Sequence, residues 1–256
     1  MGRGWNKAGT VRERRITIKN SLKYFLISIV ILMVGLVVLS CQSSIGSTSL
    51  TNIDWVDFIR FNGITYIRTV QQLPYSEEEL EYFDEIRFRV DVNIDAPDYQ
   101  IEDGDAAYLD EGTQIYSIKG YSPDFRLVAK TGTELHLFEA DTNPKARTGT
   151  DLLDIEGKVE YIGINNPVDG ITELASITEQ DMVFSLVEMV LDSPVDQTSR
   201  IYGSQQLFIM FHLRDGTRVN RSFWSDTGKL QRGIMLPDDF WEMIKPFVPG
   251  NYRGEE

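Results

Sequence analysis

The sequence predicts an α+β, β-rich protein: a small β-barrel or sandwich-like domain followed by an antiparallel sheet with two helices. Three observations lead there. Stretches of period-two alternation recur through residues 53–165, separated by Gly-containing turns, which is the pattern of many short strands. Residues 178–194, "TEQDMVFSLVEMVLDSP", instead set Met182, Val183, Leu186, Val187, Met189 and Val190 at helical spacing. A last apolar segment, "LPDDFWEMIKPF", opens at Pro237 and closes near Pro246. Proline is tolerated at a helix start and disruptive inside one.

In chain order, "WVDFIRFNGITYIRTV" (55–70) alternates around Asn62-Gly63. That dipeptide favours a type I′ hairpin because both turn residues need positive φ. Ser76 and Glu79 form a capping-box pattern, predicting a short helix over 77–84. In "IRFRVDVNI" (86–94), Ile86, Phe88, Val90, Val92 and Ile94 fall on one face of a predicted strand. "AAYLDEGTQIYSIKGY" (106–121) and "FRLVAKTGTELHLFEA" (125–140) add three or four strands, and "GKVEYIGIN" (157–165) another. The expected boundary lies at "NNPVDG", 165–170. Beyond it come the 178–194 helix, with Thr178 as its expected cap, a second hairpin around Asp215-Gly216, the strand "KLQRGIML" (229–236) and the Pro237 helix. The organisation read from sequence is a signal segment (1–40), a polar spacer (41–52), a β-rich domain (53–165), an α+β domain (166–250) and a tail (251–256).

The N-terminus speaks to location. Residues 1–23 carry seven Lys and Arg against Glu13 alone, and "YFLISIVILMVGLVVLS" (24–40) carries no charge. This is an export-signal pattern, with the basic flank held in the cytoplasm. Cys41, the only cysteine, follows directly. The preceding "VLS" (Val38, Leu39, Ser40) with Cys41 resembles the lipobox of bacterial lipoprotein signal peptides. The family prefers Leu where this chain has Val38, and its basic flank is usually shorter. The resemblance implies a diacylglycerol thioether on Cys41 and cleavage just before it. Stable anchoring then follows from two acyl chains. The other reading is an uncleaved signal anchor with Cys41 incidental. A lone thiol in an exported chain without disulfides favours the lipoprotein. Residues 103–129, "DGDAAYLDEGTQIYSIKGYSPDFRLVA", with "NGITY" (62–66), also resemble segments of uncharacterised lipoproteins of bacilli and their relatives. That resemblance implies a Gram-positive envelope setting and transfers no catalytic residues.

The chain has 25 bases and 39 acids; residues 1–40 hold seven of the bases and one acid, so the exported part has 18 against 38, a net −20. Such a surface repels nucleic acid and anionic lipid and suits a basic partner. The tempting metal motif is "DVNIDAPDYQIE" (91–102). It sets Asp91, Asn93, Asp95 and Glu102 at positions one, three, five and twelve of an EF-hand-like loop, with Ala96 where glycine is needed. Strand alternation explains that spacing more simply, so no metal and no cofactor is expected. His136 and His212 sit within strand patterns and read as packed residues. Arg214, Arg218 and Arg221 around the Asp215-Gly216 turn, with Trp224 beyond, are the candidate partner contact. The competing and preferred explanation is pairing with nearby acids plus protection of an exposed sheet edge. The expected function is a membrane-anchored, extracytoplasmic, non-catalytic binding, sensing or structural module meeting an envelope protein or basic partner. The alternative is an envelope hydrolase using paired carboxylates.

Overall fold

Asn62 (φ 53°) and Gly63 (φ 78°) both take positive φ, as a type I′ turn requires. They join β1 (Phe58–Phe61) to β2 (Ile64–Thr69) with Phe61 opposite Ile64. This is seen in the computed structural model, which describes residues 55–94, 98–198 and 203–250. The apolar segment before residue 41 and Cys41 itself lie outside the described residues. Among those described, no helix is long and apolar enough to cross a membrane.

The β-rich, α+β architecture expected from sequence is present as two antiparallel sheets with few helices. The first contains, besides β1 and β2, β3 (Leu80–Glu85), β4 (Phe88–Arg89), β5 (Asp105–Ala106), β6 (Gln114–Ile118), β7 (Arg126–Thr131) and β8 (Glu134–Thr142). Its order is β3-β6-β7-β8-β2-β1-β5-β4, curled into a half-barrel. Only β4 and β5 pair in parallel. The concave core holds Ile59, Phe61, Tyr66, Ile115, Leu127 and Phe138. Each such side chain contributes roughly 1.5–3 kcal/mol on burial.

Two local expectations fail here. The 77–84 helix is only a 3-10 turn, Glu77–Glu79, after which β3 begins at Leu80. The capping box itself forms: Ser76 N and Oγ donate to Glu79 Oε2 at 2.8 and 2.9 Å. A helix that short is costly to nucleate, whereas β3 gains a ladder with β6 and an edge-on contact of Tyr82 with Tyr116. The predicted 86–94 strand ends at Arg89, and Val90–Asn93 forms one helical turn, α1. Arg89 fixes the bend, donating to both Asp91 oxygens at 2.7 and 3.0 Å and to Asp110 at 2.7 Å. Val90 is buried while Val92 is 68% exposed, so the five apolar residues do not share a face. Asp91 is committed to Arg89, and Asp95 lies outside the described residues.

The second sheet comprises β9 (Val159–Asn165), β10 (Glu173–Ile177), β11 (Gln206–Leu213), β12 (Arg218–Trp224), β13 (Lys229–Leu230) and β14 (Ile234–Met235). Its order is β10-β9-β11-β12-β13-β14. The sequence grouping places β9 with the first region; its ladders run to β10 and β11 of the second sheet. Helix α2 (Gln180–Asp192) buries Val183, Leu186, Val187, Val190 and Leu191 in a core shared with Ile162, Ile164 and Phe211. Its cap is Glu179 rather than Thr178: the Glu179 carboxylate accepts from the backbone N of Asp181 and Met182 at 3.2 and 2.7 Å. Helix α3 (Asp238–Ile244), with Pro237 at its N-cap, packs Phe240 on Phe223.

Candidate functional site

A charge inside a protein must be paired or it is costly. This fold nonetheless gathers charge where β7 and β8 approach β12. Arg126, Glu139 and Arg221 are at most 2% exposed, and the Arg232 side chain is 6% exposed. The antiparallel register sets Arg126 directly opposite Glu139, and Arg126 Nη2 donates to Glu139 Oε1 at 3.0 Å. From the other sheet, Arg221 Nη2 donates to Glu139 Oε2 at 3.0 Å. One carboxylate thus ties the two sheets together.

The second arm of Arg126 extends the network. Its Nη1 donates to Thr217 Oγ1 at 2.9 Å, and that hydroxyl donates to Asp215 Oδ1 at 2.7 Å. Asp215 Oδ2 accepts from Tyr75 and Tyr121 hydroxyls at 2.6 and 2.7 Å. The Arg126 guanidinium also lies over the rings of Phe125 and Tyr121, at 4.4 and 4.7 Å. The hairpin residue Asp215 is therefore an intersheet anchor as well as a turn former. Burial raises its carboxyl, but the Tyr75, Tyr121 and Thr217 donors outweigh that and hold it below its ordinary range. Burial and the bond to Asp215 push the Tyr75 hydroxyl up to about 12.

Glu139 behaves alike. Burial alone would raise it, yet Arg221, Arg126 and Arg232 together hold it ionised and below its ordinary range. It is an acceptor of fixed charge rather than a proton donor.

Arg232 is the anomaly. It sits between β13 and β14 with φ 72°, ψ 16°. Among the described non-glycine residues only it and Asn62 have positive φ, a conformation costing roughly 1–2 kcal/mol for a residue with a Cβ. Asn62 belongs to an Asn-Gly turn, and Arg232 with Gly233 (φ 86°) makes the corresponding turn between antiparallel β13 and β14, where Leu230 pairs with Ile234. Its Nε is 3.5 Å from Asp141 Oδ1, and neither Nε nor Nη1 makes a hydrogen bond. Arg221 Nε and Arg126 Nε are also buried without acceptors. Each unmet buried donor costs about 1–3 kcal/mol, more on a charged group. Burial and the neighbouring Arg221 push Arg232 down to about 9, so it stays protonated at neutral pH.

These groups border a cavity of about 340 Å³ whose lining includes Arg68, Glu139, Met210, Arg218, Arg221 and Arg232. A smaller one of about 170 Å³ adjoins it, with Asp141, Gln231 and Arg232 in its wall. The larger lining carries four guanidinium groups against one carboxylate, in a chain of net charge −14. Guanidinium groups donate hydrogen bonds and hold charge without exchanging protons. The arrangement can bind and orient an anion.

Of the candidate contact residues, Arg218 and Arg221 come together at this cavity. Arg214 does not; its Nη2 donates to Gln180 Oε1 at 3.0 Å near α2. Trp224 is at the far end of β12, opposite Gln206 and Lys229. Gln71 covers the β12 edge: its side chain donates to Arg218 O at 3.0 Å and accepts from Arg218 N at 2.9 Å. His136 Nδ1 accepts from Arg68 Nη2 at 2.8 Å, and its Nε2 shares a hydrogen bond with Thr131 Oγ1 at 2.6 Å. His212 stacks on Tyr161 with ring centroids 4.0 Å apart. Burial lowers both histidines. Among the described residues no group of three His, Cys, Asp or Glu side chains is placed to hold a metal.

Sequence reasoning missed Arg68, Arg126, Glu139 and Arg232. A signal existed for two of them: Arg126 in "FRLVA" and Glu139 in "LFEA" are lone charges inside apolar runs. Such a charge is buried with a partner or breaks the strand. Compared with protein-family models, curated proteins and solved structures, the chain matches none.

Proposed function

We propose that this is a lipid-anchored envelope protein whose exported body is a non-catalytic binding or sensing module, with the intersheet cavity as its binding site. The observation that carries the binding role is the cavity lining, four guanidinium groups against one carboxylate. Rigid donors placed in advance of a ligand lower the ordering cost of binding. The anchoring role rests on the sequence: a basic flank, an uncharged apolar stretch and the lipobox-like residues ending at Cys41.

The carboxylate hydrolase is less well supported. It needs one carboxyl held protonated as an acid. The cavity's buried carboxylate, Glu139, is held ionised by the surrounding arginines. Mass spectrometry of the chain from its native membrane tests the anchor. The expected result is a new N-terminus at Cys41 carrying acyl chains, with Cys41→Ala neither acylated nor processed. An unmodified Cys41 inside an intact N-terminus would sink the anchoring proposal.

A further inference from the structure

We infer that the intersheet cavity takes a small organic oxyanion, a carboxylate or phosphate on a short apolar body, gripped by Arg232 and Arg221. This deepens the reading of the cavity as a binding site and rests on it. Two observations converge. First, the charge does not close within the protein: Arg126, Arg221 and Arg232 are buried, Glu139 serves the first two, and Asp141, 40% exposed, stands 3.5 Å from Arg232. An anion supplies the missing negative charge. Second, the cavity is lined by the forked guanidinium groups of Arg68, Arg218, Arg221 and Arg232, which match planar or tetrahedral oxygens better than a halide.

Size and lining narrow the class. The cavity of about 340 Å³ is at the small end of ligand pockets, which run from roughly 300 to 1,000 Å³. Ile67, Val70, Ile171 and Met210 supply apolar wall beside the charged end. An extended polyanion is disfavoured, because the −20 exported surface repels it while a small anion enters singly.

The test uses the full chain in detergent, with calorimetry and thermal unfolding in inorganic phosphate, acetate and butyrate, and chloride at matched ionic strength as reference. At least one oxyanion should bind saturably. At a concentration of 100 times its Kd, Tm should rise by about 5–10 °C over chloride. If the carboxylates bind, butyrate should be roughly tenfold tighter than acetate, from two more buried methylenes. Arg232→Gly keeps the backbone conformation and removes the guanidinium; it should fold and lose the binding. Arg232→Lys, which keeps the charge without the fork, should weaken it at least tenfold. Arg214→Gln, away from the cavity, should bind as the parent does.

Shifts no larger than those in chloride, or binding retained in Arg232→Gly, would overturn the inference. So would Arg232→Lys binding as tightly as the parent, the deciding result should the glycine variant not fold. A lipidated chain whose cavity ignores all three anions leaves the anchoring proposal standing and removes this one. An anion-binding chain with unmodified Cys41 does the reverse.

Discussion

Replacing Glu139 by Gln isolates the electrostatic keystone of the fold. The two side chains are nearly isosteric, so packing is kept and the charge is lost. Arg126 and Arg221, each 3.0 Å from a Glu139 oxygen, then share one neutral carbonyl. The amide NH2 faces the other guanidinium donor to donor. Removing one member of a buried ion pair costs about 3–5 kcal/mol, mostly because the remaining charge stays desolvated. For a folded body of this size that lowers Tm by about 6–20 °C. Urea denaturation should show a lower midpoint with an unchanged slope. Arg126→Met with Glu139→Met and Arg221→Met removes three of the four desolvated charges together and leaves Arg232 beside Asp141, and that variant should be more stable than Glu139→Gln alone. A Glu139→Gln loss below about 1 kcal/mol, within the range of an exposed pair, would refute the claim that Glu139 is desolvated and holds the sheets together.

A Cβ on Gly149 would clash with the Val190 carbonyl oxygen of α2, a backbone atom that cannot swing aside. Gly149→Ala should therefore destabilise by about 1–3 kcal/mol or more in urea melts. Gln71→Ala removes two bonds to the Arg218 backbone; it should cost about 1–2 kcal/mol and increase self-association by light scattering, since it bares a strand edge. The histidines set a pH dependence. Burial lowers His136 and His212 from their ordinary 6.5, so below that pH the unfolded chain binds protons the native state refuses. Stability should be full above about pH 6.5 and fall as pH drops toward 5, less steeply in His136→Gln. Glu139, held below its ordinary 4.5, adds stability that is present above that pH and lost as pH falls below it, through the native value.

What the sequence determined by itself was decided by neighbours a few residues apart. Asn62-Gly63 forms its hairpin because both residues take the positive φ the turn requires, and in the second hairpin Gly216 alone supplies the positive φ, at 84°. The α2 stripe at 183, 186, 187 and 190 buries as its spacing predicts, because a 3.6-residue period can satisfy only a helix against a core. Local signals misled where a distant partner outbid them. The Ser76–Glu79 box is made, but β6 takes the following residues into a ladder. The alternation at 86–94 is cut short by Arg89 reaching Asp91 and Asp110. The cavity was beyond local reading altogether. Arg68, Arg126, Glu139, Arg221 and Arg232 are spread over 165 positions, and period two cannot tell a solvated charge from a buried one. Only the stacking of one sheet against the other decides that Arg126 and Arg221 meet across Glu139, because a desolvated charge is tolerated only where the tertiary fold brings it a partner.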